Sequence, residues 1–176
     1  MGLFTFFPKV NYKVNDYDYL RAIDITTTYK IKNFFKNYRG INYRPYVIKD
    51  GENPYNVSQT FYGTPDYDWI ILLANDIYNI YDEWPKDSLT FEKYIIEKYG
   101  SISAASSTIK YYYDADGDII DLTTYNSLTS SQKNSESILQ YEQRLNDNKS
   151  IIRVINASLV STIRSELNTL NIKPIT

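Results

Sequence analysis

Residues 46–75, YVIKDGENPYNVSQTFYGTPDYDWIILLAN, decide how this chain is read. Tyr46-Val47-Ile48-Lys49 is β-branched and aromatic and predicts a short strand. Asp50-Gly51-Glu52-Asn53-Pro54 is a turn that delivers a helix start, because Gly and Asn accept turn geometry and Pro suits a first helical position. Asn56 to Tyr62 fits a short helix, with Gly63 as its left-handed stop. Thr64-Pro65-Asp66 opens a second helix with a hydroxyl cap, a proline and an acid in the first turn. That helix runs from Pro65 to about Leu73. It puts Trp69, Leu72 and Leu73 on one face with Ile70 beside it, and it stops at Ala74-Asn75. Trp69 is expected in the core.

Upstream, residues 1–20 read as an extended arm, with Phe4, Phe6 and Phe7 before Pro8 and Tyr12 beyond it. An exposed aromatic terminus is usually docked, on its own core or on a partner. Ile23 to Thr28 reads as strand or loop, and Lys30 to Tyr38 as a short helix with Ile31, Phe34 and Phe35 on one face.

Downstream, Trp84-Pro85 marks a break. Ser88 to Tyr99 is a helix with Leu89, Phe91, Tyr94, Ile95 and Tyr99 spaced for burial, stopped by Gly100. Ser101 to Thr108 reads as a small-residue linker. Ile109 to Leu122 is a hairpin around Asp116-Gly117. Thr129 to Gln132 offers a capping box, and a long helical pattern follows from Ile138 to Leu170, with a polar gap at Asn146-Asp147-Asn148 where it bends or breaks. The expected fold is α+β: a strand–helix–helix core with an extended arm, a β-hairpin and one or more long C-terminal helices. Four regions are expected, at 1–44, 45–100, 101–128 and 129–176.

Composition narrows the chemistry. The chain has 176 residues and neither Cys nor His. That excludes disulfides, thiolate metal sites, and catalysis by Ser-His-Asp or Cys-His. A chain this long can bury roughly 70% of its unfolded surface, so it needs no staples. Nineteen residues are Tyr. AT-rich codons account for such usage, and an interface-rich surface is compatible with it, since Tyr joins a large contact area to a polar tip. Residues 1–50 hold nine basic and four acidic side chains, 51–147 hold six and sixteen, and 148–176 hold four and one. A basic arm, an acidic middle and a basic tail suit protein–protein complementarity.

Other signals reduce to bland readings. Asp114, Asp116, Asp118 and Asp121 surround Gly117, but an EF-hand register would place Tyr112 and Thr123 at ligand positions, so a hairpin tip explains them. Carboxylate pairs such as Asp66 and Asp68, or Asp82 and Glu83, arise freely among 21 acids, and no spacing singles out a glycosidase pair. Lys30 to Arg44 interleaves basic and aromatic residues without a nucleic-acid fold motif. No Gly-rich phosphate loop exists. The N-terminus makes a poor signal peptide, Phe6 breaks the myristoylation pattern, and the longest apolar run is Trp69 to Ala74, far short of the ~20 residues of a membrane helix. A soluble, intracellularly made protein is expected, with no cofactor, metal, nucleic acid or membrane partner.

Tyr46 to Asn75 resembles a LysM repeat. Gly51-Glu52-Asn53-Pro54 takes the place of the Gly-Asp-Thr-Leu turn, Val57 and Phe61 face inward, Tyr62-Gly63 ends the first helix and Ala74-Asn75 the second. The segment departs at its close, where Ile77 to Pro85 stands in place of a second strand. The whole chain is similar to the small LysM-like baseplate wedge subunits of contractile-tail, T-even-type bacteriophages. The pieces that carry this are Phe6-Phe7-Pro8 with Tyr12, Asp24-Ile25-Thr26, Phe61-Tyr62-Gly63, Asp68 to Leu72, Asp82-Glu83-Trp84-Pro85, Glu97-Lys98-Tyr99-Gly100, Tyr112 to Gly117, Tyr141-Glu142 to Asn146, and Lys149 with Ile151, Ile152 and Arg153.

The resemblance implies a structural, non-enzymatic virion protein of the tail baseplate, assembled in the host cytoplasm. It implies wedge scaffold subunits, a sheath-initiating subunit and neighbouring wedges as partners, joined around the hub. The alternative is a peptidoglycan-binding LysM module. On the first reading three contact regions are expected: the arm with Phe4, Phe6, Phe7 and Tyr12; an aromatic edge with Tyr67, Tyr78, Tyr81 and Trp84; and the C-terminal helix with Arg153 and Arg164.

Overall fold

The structure, a computed structural model, describes residues 7, 9–15, 19–23 and 43–169. The elements in chain order are β1 (Lys9–Lys13), β2 (Tyr19–Ile23), β3 (Tyr43–Val47), α1 (Pro54–Tyr62), α2 (Asp68–Ala74), α3 (Ile80–Glu83), α4 (Ser88–Tyr99), α5 (Ile102–Ser107), β4 (Ile109–Asp114), β5 (Ile119–Ile120), α6 (Leu122–Ser127), β6 (Lys133–Ser137), α7 (Ile138–Ser150), β7 (Ile151–Ile155) and α8 (Val160–Thr169). The chain is α+β, as its sequence leads one to expect. It forms two units, one from Met1–Ile48, Glu52–Glu83 and Ile151–Thr176, the other from Lys49–Gly51 and Trp84–Ser150. The helix expected at Lys30 to Tyr38 lies outside the described residues.

In the first unit the helix pair follows from its caps. Asn53 accepts from the Asn56 amide and Asn56 accepts from the Asn53 amide, both at 3.1 Å, with Pro54 opening α1. This reciprocal capping satisfies two amides that the helix itself leaves unbonded. Gly63 ends α1 at φ 72°, where a side chain would strain the backbone. Ser58 is fully buried; its hydroxyl donates to the Thr64 carbonyl at 2.7 Å and accepts from the Tyr67 amide at 3.2 Å. That one side chain fixes the turn into α2. Trp69, Ile70, Ile71, Leu73 and Ala74 are then buried together, so α2 is the axis of the unit.

The strand that the sequence reading finds missing after α2 is present, but far along the chain. β7 pairs antiparallel with β3, Val47 opposite Ile151 and Tyr43 opposite Ile155. This corrects the expected all-helical C-terminal pattern with its bend or break at Asn146-Asp147-Asn148: α7 runs through that gap to Ser150, β7 intervenes, and α8 resumes. The β-branched run Ile151-Ile152-Arg153-Val154-Ile155 explains it, since these side chains fit a pleated surface better than a helix. β3, α1, α2 and β7 thus stand in the order strand, helix, helix, strand, and residues 75–150, with α3 and most of the second unit, come between the last two. Ile155, Val160, Ile163 and Leu167 from β7 and α8 complete the core around Phe7, Trp69, Ile70, Leu73 and Ala74.

Asn75 clamps the outer side of β7. Its amide nitrogen donates to the Arg153 carbonyl and its oxygen accepts from the Arg153 amide, both at 2.8 Å. Arg153 lies opposite Pro45 in the ladder. Because the Arg153 amide turns away from β3, Pro45 sits where no N–H is required of it. Replacing Asn75 by Ala is expected to cost about 2 kcal/mol, read from the urea midpoint. A loss of only a few tenths would mean that water replaces the amide.

In the second unit, α4 starts at Asp87, whose carboxylate accepts from the Thr90 amide at 2.9 Å, and packs Phe91 and Ile95 against Ala105. The expected linker at 101–108 is instead the helix α5. Ser101 caps it by accepting from the Ala104 amide at 3.0 Å, and Ala105 is its fully buried contact. Small residues here permit close approach rather than flexibility. The hairpin is as expected: β4 pairs with β5 across the Asp116-Gly117 turn, and β6 adds on the other side, giving the order β5-β4-β6. The capping box at Thr129 to Gln132 holds only a 3-10 turn, because Lys133–Ser137 is drawn into the sheet as β6 and helix begins at Ile138. Asn146 on α7 clamps Lys86, accepting from its amide at 2.8 Å and donating to its carbonyl at 2.9 Å.

Candidate interaction surface

The β3–β7 sheet of the first unit has an inner and an outer face. Ile152 and Val154 point inward and are buried, and Tyr46 meets the edge of Phe61 with ring centroids 5.0 Å apart. The Tyr46 hydroxyl donates to Glu52 at 2.8 Å, and burial together with that carboxylate pushes its pKa up to about 12. Tyr62 donates to the Ile155 carbonyl at 3.1 Å, and burial drives its pKa far above the ordinary tyrosine value. Both hydroxyls are structural ties.

The outer face carries Tyr43, Pro45, Val47, Ile151 and Arg153. The cross-strand partners Val47 and Ile151 are 62% and 66% exposed. On the adjacent diagonal the Arg153 guanidinium lies 5.2 Å from the centre of the Tyr43 ring. A groove of about 520 Å³ runs beside them, lined by Tyr43, Pro45, Asn75, Asp76, Ile151 and Arg153 among others. Composition of this kind, an aliphatic pair with a stacked Arg and Tyr, is typical of contact surfaces. Pairing register alone exposes Val47 and Ile151, so sequence reasoning did not find them.

The residues expected at an interface are dispersed. Phe4 and Phe6 lie outside the described residues. Phe7 is buried in the core of the first unit. Tyr12 sits in β1 opposite Leu20. Tyr67 and Arg164 come together, the guanidinium donating to the Tyr67 hydroxyl at 3.0 Å and facing its ring at 5.8 Å. Tyr78, on the loop before α3, and Tyr81, within α3, are 46% and 85% exposed; the amides of Tyr78 and Asn79 both donate to Glu83, at 2.6 and 2.8 Å. Trp84 is buried in the second unit and Trp69 in the first.

The second unit contains a buried carboxylate that the sequence reading passed over. Glu142 accepts from Tyr94 at 3.1 Å, Tyr99 at 2.5 Å and Lys98 at 2.9 Å. Burial raises its pKa, and the three donors outweigh that and hold it below the ordinary glutamate value. Nearer the surface, Arg144 grips Glu136 with two bonds of 2.7 and 3.0 Å, and Tyr113 donates to the same carboxylate. Asp114 accepts from the amides of Asp116 and Asp118, so it caps its own turn. Among the described residues no group of three or more His, Cys, Asp or Glu is placed to hold a metal, and no helix is long and apolar enough to cross a membrane.

With this arrangement described, comparison with known proteins is decisive. The family described as Base plate wedge protein 53 matches residues 2–143. The chain belongs to the base plate wedge protein 53 family. Baseplate wedge protein gp53 of Enterobacteria phage T4 is 28% identical to it over 121 residues, which is 66% of this chain and 60% of that relative. The chain therefore matches less than two thirds of that relative's length. The T-even-type resemblance read from the motifs holds, and membership in the wedge protein 53 family gives the protein a structural role in the phage virion, at the tail baseplate. The match ends before β7.

Proposed function

We propose that this protein is a non-catalytic joint of the baseplate wedge in a contractile phage tail. It binds wedge scaffold subunits and the sheath-initiating subunit, and it ties neighbouring wedges together around the hub during assembly. The family match over residues 2–143 carries this reading. The geometry supports it: hydrogen-bonded clamps make both units firm platforms, and the first unit carries an exposed aliphatic and aromatic sheet face. We read that unit as a LysM-like module reused to bind protein, with Tyr67, Tyr78, Tyr81 and Arg164 as further contacts beside the N-terminal arm.

A second reading is a peptidoglycan-binding LysM module. The pairing of β3 with β7 favours it, because it supplies the second strand that a LysM repeat has and that Ile77 to Pro85 does not provide. Co-expression with the neighbouring tail genes, followed by size-exclusion chromatography with light scattering, separates the two. A wedge joint co-elutes with a wedge protein, and tails made without it lack closed baseplates. A monomer that ignores every tail protein and sediments with cell-wall sacculi would replace the first reading with the second.

A further inference from the structure

We propose that the outer face of the β3–β7 sheet docks a segment of another baseplate subunit that presents a carboxylate beside an aliphatic side chain. This rests on the wedge reading above and names the kind of partner for one surface. Val47 and Ile151 form an exposed aliphatic pair whose burial would contribute to binding. Arg153 stands next to that pair, already ordered against the Tyr43 ring. Among the described residues no carboxylate pairs with Arg153 or with the exposed Arg44 of the same ladder. Asp76 lines the groove too, and its oxygen accepts from the Tyr78 hydroxyl at 3.2 Å. A guanidinium stacked on an aromatic ring is held with its N–H donors in one plane, which suits a bidentate carboxylate.

Charge selects among the possible occupants. Pairing this face with the same face of a second copy would bring arginine-bearing surfaces together, an arrangement that like charges oppose. Among the described residues the other edge of β3 has no strand partner, and strand addition along it is blunted by Pro45, which offers no N–H there. The face, rather than the edge, is what remains for a partner, and an acidic segment with an apolar neighbour matches both halves of it.

The test uses the full chain in assembled tails. Val47 is replaced by the photo-crosslinking residue p-benzoylphenylalanine, and the variant complements a phage lacking the gene. Tails are irradiated and the joined peptide is identified by mass spectrometry. The expected product joins position 47 to a different baseplate subunit, within a few residues of an Asp or Glu. Arg153→Glu then lowers co-elution with that subunit about ten-fold, and replacing the partner's acid by Lys restores it. Val47→Asp, measured alongside, weakens the same complex with an unchanged unfolding midpoint. A crosslink to a second copy, to the chain's own residues or to a segment without an acid overturns the proposal. So does unchanged co-elution of Arg153→Glu. Tails that assemble without incorporating the chain would overturn the wedge reading itself and this proposal with it.

Discussion

Ending the chain after Ser150 unfolds the first unit. The cut leaves β3, α1 and α2 intact in sequence, yet it removes β7 and α8. With them go Ile152, Val154, Ile155, Val160, Ile163 and Leu167, each at most 7% exposed in the folded chain. Burial of such a side chain contributes about 1.5–3 kcal/mol. Six of them, discounted for the compactness of unfolded chains, amount to about 10 kcal/mol. A whole domain is typically stable by only about 5–15 kcal/mol. Trp69, Ile70 and Leu73 would also lose one of their covering layers.

The second unit keeps its own core of Phe91, Ile95 and Ala105 and its three-stranded sheet, and is expected to persist. The two tryptophans make the test specific, because Trp69 is buried in one unit and Trp84 in the other. In a Trp84→Phe background the truncated chain should show solvent-exposed Trp69 emission and rapid chymotrypsin cleavage within 52–83, a stretch rich in Tyr and Leu. With Trp69→Phe instead, Trp84 should remain blue-shifted. Equal midpoints for truncated and full chains would sink the idea that β7 closes the first unit.

The same strand shows where the sequence could be read and where it could not. Asn53-Pro54, Tyr62-Gly63 and Asp116-Gly117 act locally, through caps and turns that any neighbourhood permits, and each marks a boundary that the structure has; Thr64-Pro65 opens a 3-10 turn at Pro65–Tyr67, and α2 itself begins at Asp68. The partner of β3 is set by contact between residues far apart in sequence. Ile152, Ile155 and Leu159 also satisfy a helical spacing, so periodicity alone could not separate strand from helix; the four β-branched residues around Arg153 at 151–155 were the available signal. The same competition turned Lys133–Ser137 into β6, since β4 supplies a ladder that no local pattern reveals. Ser101 was a legible cap overlooked among small residues.

Candidate contacts were harder to read than elements. An aromatic residue is drawn equally to a core and to an interface, so Trp84 could not be placed by type. Val47 and Ile151 are apolar by type and yet exposed, because a sheet has two faces and only one meets α1 and α2. Arg164 and Tyr67, both expected to face partners, meet each other. Glu142, one of 21 acids, gave no sign of burial, because Tyr94, Lys98 and Tyr99 lie on a different helix.

Removing that carboxylate should produce a loss of stability that depends on pH. Glu142 is 6% exposed and is the acceptor for two hydroxyls and an ammonium. Glu142→Leu leaves Tyr94 and Tyr99 without their acceptor beside a half-exposed Lys98. Breaking a buried charged network in this way costs about 3 kcal/mol at neutral pH. The carboxyl's folded pKa lies below its unfolded value, so its stabilisation is fully present above the ordinary glutamate pKa of about 4.3 and fades as pH falls through that value toward the depressed one. Urea midpoints are followed through Trp84 in a Trp69→Phe background. Those of the chain that keeps Glu142 and of the Glu142→Leu variant should differ widely at neutral pH and converge as the carboxyl becomes protonated in acid. Glu142→Gln, which keeps shape and an acceptor but no charge, should fall between them and show a flatter acid limb. A penalty of the same size in neutral and acid solution would assign the effect to packing of α7 on α4, and the charge of Glu142 would then contribute nothing.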